Sequence, residues 1–485
     1  MAIAPWFVCG PAALLAALGH RRGPEPTVPT PAEDWRRAVV DVVIPVCRDQ
    51  RTIIHCLTSL LRQTRQPRRV LLVDDGGVSR DHAVQLAREF ARANGIQLQV
   101  VVRTWSVGKA VTVKRQARQF DGDVLFVLDA NTVLASPDYL ERCVRELYQG
   151  VGIASACGTV EPLHPEQRQA IAAREPFRRW LGEDEWSDPL VPDGSLERVW
   201  RWLGDSYRAH VGGLQQGFLD TGLMCLCGGV DVPAGEAIAY RRRYLKDMFD
   251  RYEPVRGDDL TAVEDIFIAR ALATEGYRSI RLVDVTAQVQ YPEWQHLPQQ
   301  AWSWTTALLQ YDLYFDPLLR TPLTVVRHRL RQWLLRRQPD RQRPRGPDQR
   351  TIREAYRQPF GERLTRYQGR PIGTGLLVMA LERTGYPVAL LVLALGGWWQ
   401  VLGWVVAVEV LLTLLVSVRL APPGRRAVAL LQAVIASPVR YALLLLEPPA
   451  MLWFAGRRWL ARQHRWYARR ESDGDRRDAR RSLRH

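Results

Sequence analysis

The sequence predicts an α/β fold: a doubly wound, mostly parallel sheet followed by C-terminal membrane helices. Three observations carry this. Short β-branched, continuously apolar runs recur between residues 39 and 130. Segments of helical spacing separate them. From Pro387 to Val418 the chain is almost uninterruptedly apolar.

The elements follow in order. "VVDVVIPV" (39–46) reads as a strand covered on both faces. "TIIHCLTSLLRQ" (52–63) has helical spacing, and "RRVLLVDDGG" (68–77) is a second buried strand ending in acids. An amphipathic helix, "RDHAVQLAREFARANG" (80–95), ends on Gly95. "IQLQVVVR" (96–103) is a third strand, "KAVTVKRQARQF" (109–120) a helix and "GDVLFVLDA" (122–130) a fourth strand. Strands alternating with helices make a parallel sheet, and ligands of such sheets bind beyond the carboxyl ends of the strands. Three polar sites fall there: Pro45 with Asp49, Asp74-Asp75-Gly76, and Asp129-Ala130-Asn131. Alone, Asp75-Gly76-Gly77 is a turn; beside the other two it reads as part of a ligand site. No GxGxxG follows the first strand and no GxxxxGK[ST] occurs, which excludes a standard dinucleotide site or P-loop.

The 485 residues carry a net charge of +16, concentrated after about residue 320 and at the extreme C-terminus. Arginine-rich runs suit an anionic membrane surface or nucleic acid. Here they flank apolar segments, which argues for lipid and against nucleic acid; the last residues read equally as a solvated tail. Of seven cysteines only Cys225 and Cys227 lie close together, with no second pair or His cluster at zinc spacing. They read as reduced, mostly buried thiols of a cytosolic domain.

The expected organisation is an N-out membrane segment (1–19), a cytosolic domain (38–320) and a basic linker or interfacial segment (321–371). A transmembrane hairpin (372–419) turning at Gly396-Gly397-Trp398-Trp399-Gln400 follows. Residues 427–455 are broken by Arg440 and prolines, so a re-entrant or interfacial pair is favoured over a simple span. A basic cytoplasmic tail (457–485) closes the chain. Basic flanks on all three sides are expected to place residues 38–320 in the cytoplasm of a multi-pass cell-membrane protein. The Trp-rich stretch 177–203 reads either as an amphipathic membrane-surface element or as a core helix pair.

"VVIPVCRDQRTIIHCLTSLLRQT", "VLLVDDGG", "VGKAVTVKRQA", "LFVLDANT" and "TAVEDIFIARALATEGYRSIRL" occur in this order, and "LPQQAWSW" comes after them. Together they resemble the family 2 inverting glycosyltransferases, in the membrane-embedded branch of hyaluronan, chitin and cellulose synthases. The resemblance covers roughly residues 39–455 and implies a nucleotide-diphospho-sugar transferase sheet.

What it implies for residues is as follows. Asp74 and Asp75 would meet the uracil and ribose of a UDP-sugar, with Pro45 and Asp49 nearby, and Lys109 would sit near the diphosphate. Asp129 and Asn131 stand at the Asp-x-Asp pair that holds Mn²⁺ or Mg²⁺; Asn131 brings an oxygen but no charge, so a weakened cation site is expected. Asp265 is the candidate general base, and the distance to Gly276-Tyr277 favours it over Asp259. Tyr240 and Arg241, with Gln300 and Trp304, fall in acceptor regions. Ser303 replaces the Arg of Gln-x-x-Arg-Trp. The acceptor would be a growing polysaccharide or a lipid-linked molecule. A homo-oligomer or a single-addition enzyme would account for so small a membrane bundle. A catalytically impaired scaffold subunit is the alternative that Asn131 and Ser303 leave open.

Overall fold

The computed structural model describes residues 10–23, 34–46, 52–75, 82–104, 106–149, 152–191, 194–256, 263–336 and 370–460. Asp49, Asp259, residues 337–369 and the tail from 461 lie outside them.

The sheet-bearing half begins with β1 (Val40–Val46), α2 (Ile53–Leu61), β2 (Arg69–Asp74), α3 (Ala83–Asn94), β3 (Leu98–Val102), α4 (Lys109–Gln119) and β4 (Val124–Leu128), preceded by α1 (Pro11–Arg22). Next come β5 (Thr132–Leu134), α5 (Tyr139–Gln149), β6 (Ile153–Pro162), α6 (Pro165–Ala172), α7 (Glu175–Leu181) and α8 (Ser195–Gly212). A π-helical passage, Gly213–Asp220, leads to α9 (Thr221–Cys227), β7 (Ala237–Arg241), α10 (Arg242–Arg256), α11 (Glu264–Glu275) and β8 (Arg278–Val289). The helices α12 (Leu297–Tyr314), α13 (Asp316–Leu319) and α14 (Thr321–Arg336) follow.

The sheet runs β3-β2-β1-β4-β7-β6-β8-β5. β1, β2, β3 and β4 are mutually parallel, as the alternating pattern predicts. Beyond β4 the sheet is mixed: β7 is antiparallel to β4 and β6, β8 runs parallel to β6, and β5 is antiparallel to β8. The order reverses between β1 and β4, so a crevice opens beyond their carboxyl ends.

Continuous apolar strands follow from cores on both faces. Val43, Leu125 and Val127 join Phe267 and Tyr311 on one face. Their chain neighbours Val42, Ile44, Phe126 and Leu128 join Ile53, Phe90 and Tyr139 on the other. The pleat sends alternate residues to opposite sides, so every position must be apolar. Asp41 is the exception. It is fully buried at the amino end of β1, where it accepts from Arg68 Nε and Nη2 at 3.0 and 2.7 Å and from the Gly122 amide at 3.1 Å.

The C-terminal part holds α15 (Pro371–Leu395), α16 (Trp399–Leu420), α17 (Arg426–Leu444) and α18 (Glu447–Ala455). Among the described residues three stretches are long and apolar enough to cross a membrane: Pro371–Leu395, Trp399–Leu420 and Pro423–Arg458. The third contains the stretch read as a re-entrant or interfacial pair. α17 continues helically through Pro438, and Arg440 is neutralised rather than exposed. Arg440 and Glu409 of α16 are both fully buried and ion-paired. Glu409 also accepts from Thr413 Oγ1 at 2.7 Å and from Tyr441 Oη at 2.8 Å. A paired and hydrogen-bonded charge removes the objection to arginine inside an apolar bundle.

α1 packs against α9 and α15 through small residues: a Cβ on Gly19 would lie 1.7 Å from the Gly222 carbonyl oxygen. A chain of charges ties the sheet-bearing half to α15. Arg270 of α11 donates to Asp231 at 3.0 and 3.1 Å and to Asp312 of α12 at 2.6 Å, and Asp312 also accepts from Arg383 of α15.

Candidate active site

β1 and β2 end side by side, with Pro45 opposite Val73 and Val46 opposite Asp74. The Asp75 amide donates to the Val46 carbonyl at 2.8 Å, which extends the pairing by one step. The Asp75 carboxylate then accepts four bonds: from Arg103 Nη1 at 2.7 Å, Ser106 Oγ at 2.9 Å, and the amides of Val107 and Gly108 at 3.1 and 2.7 Å. It therefore organises the loop that delivers Lys109. Gly108, with φ of +94°, makes the turn into α4, a conformation other residues adopt only under strain. Asp74 is buried, and its carbonyl accepts from the Arg103 amide at 3.0 Å.

Lys109 is the centre of the site. Its Nζ lies 2.8 Å from Asp129 Oδ1 and donates to Asp129 Oδ2 at 3.0 Å. It also meets Glu264 Oε1 at 3.1 Å and the Gly235 carbonyl at 3.0 Å. Burial opposes the charge, but Asp129 and Glu264 outweigh it and hold the ammonium well above its ordinary range. Asp129 follows β4, where its amide donates to the Glu236 carbonyl at 2.8 Å. Burial raises its carboxyl to about 7, against the pull of Lys109.

Asp265 stands in the first turn of α11, 6% exposed, its Oδ1 accepting from the Ile266 amide at 2.9 Å. Burial, and then the neighbouring Glu264 charge, raises its carboxyl to about 7. Val263, just before the helix, has φ of +52°, the one positive φ outside glycine among the described residues. A β-branched residue held there is strained, and such strain clusters at functional sites. Gly235 touches Asp265 from β7's side: a Cβ there would lie 2.8 Å from both Cβ and Oδ2 of Asp265. The sequence reading missed Gly235, Glu236 and Glu264 as members of this cluster. The "PAGE" turn before β7 was the available signal.

The cation pair is one-sided. Asn131 Nδ2 donates to the Gln290 carbonyl at 3.1 Å, and among the described residues its Oδ1 accepts only from Thr132 Oγ1 at 3.3 Å. Asp129 turns its carboxylate to Lys109. Among the described residues no three His, Cys, Asp or Glu side chains group as a cation site. One carboxylate shared with an ammonium, plus one amide oxygen, hold a divalent cation only when a ligand supplies further oxygens.

The acceptor expectations divide. Gln300 sits on α12, its Oε1 accepting from Arg208 Nη2 at 3.5 Å. Trp304, one turn on, is partly buried against the core. Tyr240 is 2% exposed, within the field of Asp265 and Lys109, so its ring is a wall of the core and not an open contact. Arg241 is corrected. It pairs with Val124 at the amino end of β4, the far end from Asp129. There it stacks 4.0 Å from the Tyr148 ring, so the sheet itself keeps it from the crevice.

Residues 41–182 match the family model "Glycosyl transferase family 2". This stretch includes Pro45, Asp74, Asp75, Lys109, Asp129 and Asn131, but not Asp265. Glycosyltransferase AglE of Haloferax volcanii is 30% identical over 142 residues, 28% of this chain and 44% of that protein. An N-acetylglucosaminyltransferase of Bradyrhizobium is 30% identical over 99 residues, 20% of this chain and 63% of the relative. The chain thus spans about half the length of the curated relatives it matches. Among solved structures, mannosyltransferase PcManGT from Pyrobaculum calidifontis, in complex with GDP-Man and Mn²⁺, aligns with a TM-score of 0.47 at 15% identity, covering 92% of this chain and 94% of that one. TarS of S. aureus with UDP-GlcNAc aligns at 0.32 and 14% identity, covering 56% and 66%.

Proposed function

We propose that this chain, whose residues 41–182 form a glycosyltransferase family 2 domain, is a multi-pass membrane enzyme. It transfers a sugar from a nucleotide-sugar, with inversion, to an acceptor at the cytoplasmic face. The observation that carries the reading is the Lys109–Asp129–Glu264–Asp265 cluster at the point where the strand order reverses. It joins a partly buried cation, suited to a diphosphate, to a buried carboxylate poised near neutrality.

The chemistry follows from those two groups. Asp265 takes the proton of an acceptor hydroxyl as that oxygen attacks the anomeric carbon from the face opposite the diphosphate. The glycosidic bond forms as the anomeric carbon–phosphate oxygen bond breaks, and the leaving diphosphate keeps the electron pair. Lys109 offsets the charge that develops there. When bound, Mn²⁺ or Mg²⁺ supplies further charge neutralisation; Asp129 and Asn131 would hold it, with the diphosphate completing the set. Asp75 fixes the loop that carries Lys109, which makes its part in nucleotide recognition indirect. Acceptor binding falls to the Gln300–Trp304 face of α12, where a ring can stack on a sugar.

The donor is a UDP-sugar in this reading, and relatives bound to GDP-Man and UDP-GlcNAc place both nucleotides in the test. A polysaccharide or a lipid-linked molecule is the proposed acceptor, because α12 packs against the membrane helices through Ala301 and Leu297. Incubating the full chain in bilayers with UDP- and GDP-sugars, with Mn²⁺ or Mg²⁺, and measuring free UDP or GDP tests the proposal. Release with one donor names it. Release with none favours the scaffold alternative.

A further inference from the structure

Arg208 lies on the inner face of α8, within "GDSYRAHVGG", where nothing in the sequence marks it. Its side chain is 2% exposed. Among the described residues it makes a single hydrogen bond, from Nη2 to Gln300 Oε1, at the long distance of 3.5 Å. The nearest carboxylate, Asp205, is 4.0 Å away. Its Nε is buried without a partner. The remaining cover is the Tyr291 ring, 5.1 Å from Cζ.

Other buried arginines of this chain are treated differently. Arg168, Arg270, Arg281 and Arg440 each hold a carboxylate in direct contact: Asp188, Asp231 with Asp312, Asp220, and Glu409. A guanidinium offers five donors, and burying it with one long bond is costly unless something else completes it. Burial accordingly lowers its pKa, and Asp205 and Tyr291 only partly offset this.

Its position says what would complete it. Tyr291 follows Gln290, whose backbone is doubly bonded to Asn131 at 2.9 and 3.1 Å. Tyr291 thus links the Arg208 guanidinium, 5.1 Å from its ring, to the Gln290–Asn131 pairing beside Asp129. On the other side Tyr207 packs with Ala436 and Leu443 of α17. Arg208 therefore sits between the crevice and the membrane helices. Tyr291 and Gln300, which cover it, are both partly exposed.

We propose that Arg208 is a phosphate-binding residue of this crevice, taking phosphoryl oxygens of a substrate on its open N–H groups. The inference rests on the nucleotide-sugar reading above. Two substrates carry that chemistry here: the donor, through its diphosphate, and a lipid-linked acceptor, through its phosphate. A planar fork binding two oxygens at once is what a guanidinium offers and an ammonium does not.

The test uses the full chain in lipid nanodiscs with EDTA present, beside Arg208→Met and Arg208→Lys. Binding of UDP and GDP is compared with uridine and guanosine, and farnesyl phosphate with farnesol. Arg208→Met is expected to weaken a phosphate probe about tenfold or more while its phosphate-free counterpart binds unchanged, with Arg208→Lys intermediate. Loss confined to UDP or GDP assigns the donor; loss confined to farnesyl phosphate assigns the acceptor. Because the cation is under-compensated, Arg208→Met is expected to keep or raise the melting temperature. Parent-like binding of every phosphate probe by Arg208→Met overturns the inference alone, as does a fall in stability that weakens phosphate and phosphate-free probes together. A parent protein that binds none of the probes overturns the nucleotide-sugar reading, and this inference with it.

Discussion

Replacing Lys109 by Met removes a partly buried cation held between two carboxylates, 2.8 Å from Asp129 and 3.1 Å from Glu264. Losing one partner costs less than the roughly 3–5 kcal/mol of a fully buried pair, because water screens part of the stranded charge. Here the cost has a pH dependence. In the parent protein Asp129 titrates near 7 against an ordinary 3.8, with Lys109 pulling it down. Without Lys109 the folded carboxyl rises further and keeps its proton above pH 7. The unfolded carboxyl has already lost its own. The folded variant then binds one more proton than the unfolded chain, so stability falls as pH rises, by about 1.4 kcal/mol per unit. The parent, ionised at Asp129 in both states above 7, lacks this slope. At about 2 °C per kcal/mol, the melting-temperature gap should widen by about 5 °C from pH 7 to pH 9. Differential scanning fluorimetry in detergent measures it. A gap that is constant or shrinks over that range refutes the assignment of Lys109 as the counter-charge of Asp129.

Three further outcomes follow from the same geometry. Gly235→Ala places a Cβ 2.8 Å from Asp265 Oδ2, so turnover should drop about tenfold or more with nucleotide affinity retained, as titration calorimetry beside steady-state rates would show. Turnover should fall as pH drops through about 7, because Asp265, raised to that value by burial and Glu264, cannot accept a proton once it holds one; a rate profile flat from pH 6 to 8 would contradict this. Glu409→Gln should lower stability by about 3 kcal/mol or more, while Glu409→Gln with Arg440→Met should recover most of it; equal losses in thermal unfolding would mean that the pair is not coupled.

The parallel half of the fold was legible because its cause is local. Strands with cores on both faces must be apolar at every position, and β1, β2 and β4 are, apart from Asp41 and the terminal residues. The reversal after β4 was not legible. β5 to β8 pair across long separations, and their register depends on contacts such as Thr132 with Val289. Asp129 and Asp265 could be named from motif and helix position, but Glu264's role could not, since it arises only when α11 is brought against α4. Arg241 shows the reverse error. Adjacent to Tyr240 in sequence, it lies at the wrong end of β4 because β7 runs antiparallel. In the membrane part, Arg440 argued against a span until Glu409, on another helix, supplied its partner.

Asp265 is proposed as the base in a crevice whose cation serves the diphosphate. Steady-state nucleotide release by Asp265→Asn beside the parent, with nucleotide affinity measured on both, tests it most directly. A loss of at least about a hundredfold in turnover is expected, with affinity kept within a few-fold. Parent-like release by the variant would contradict it.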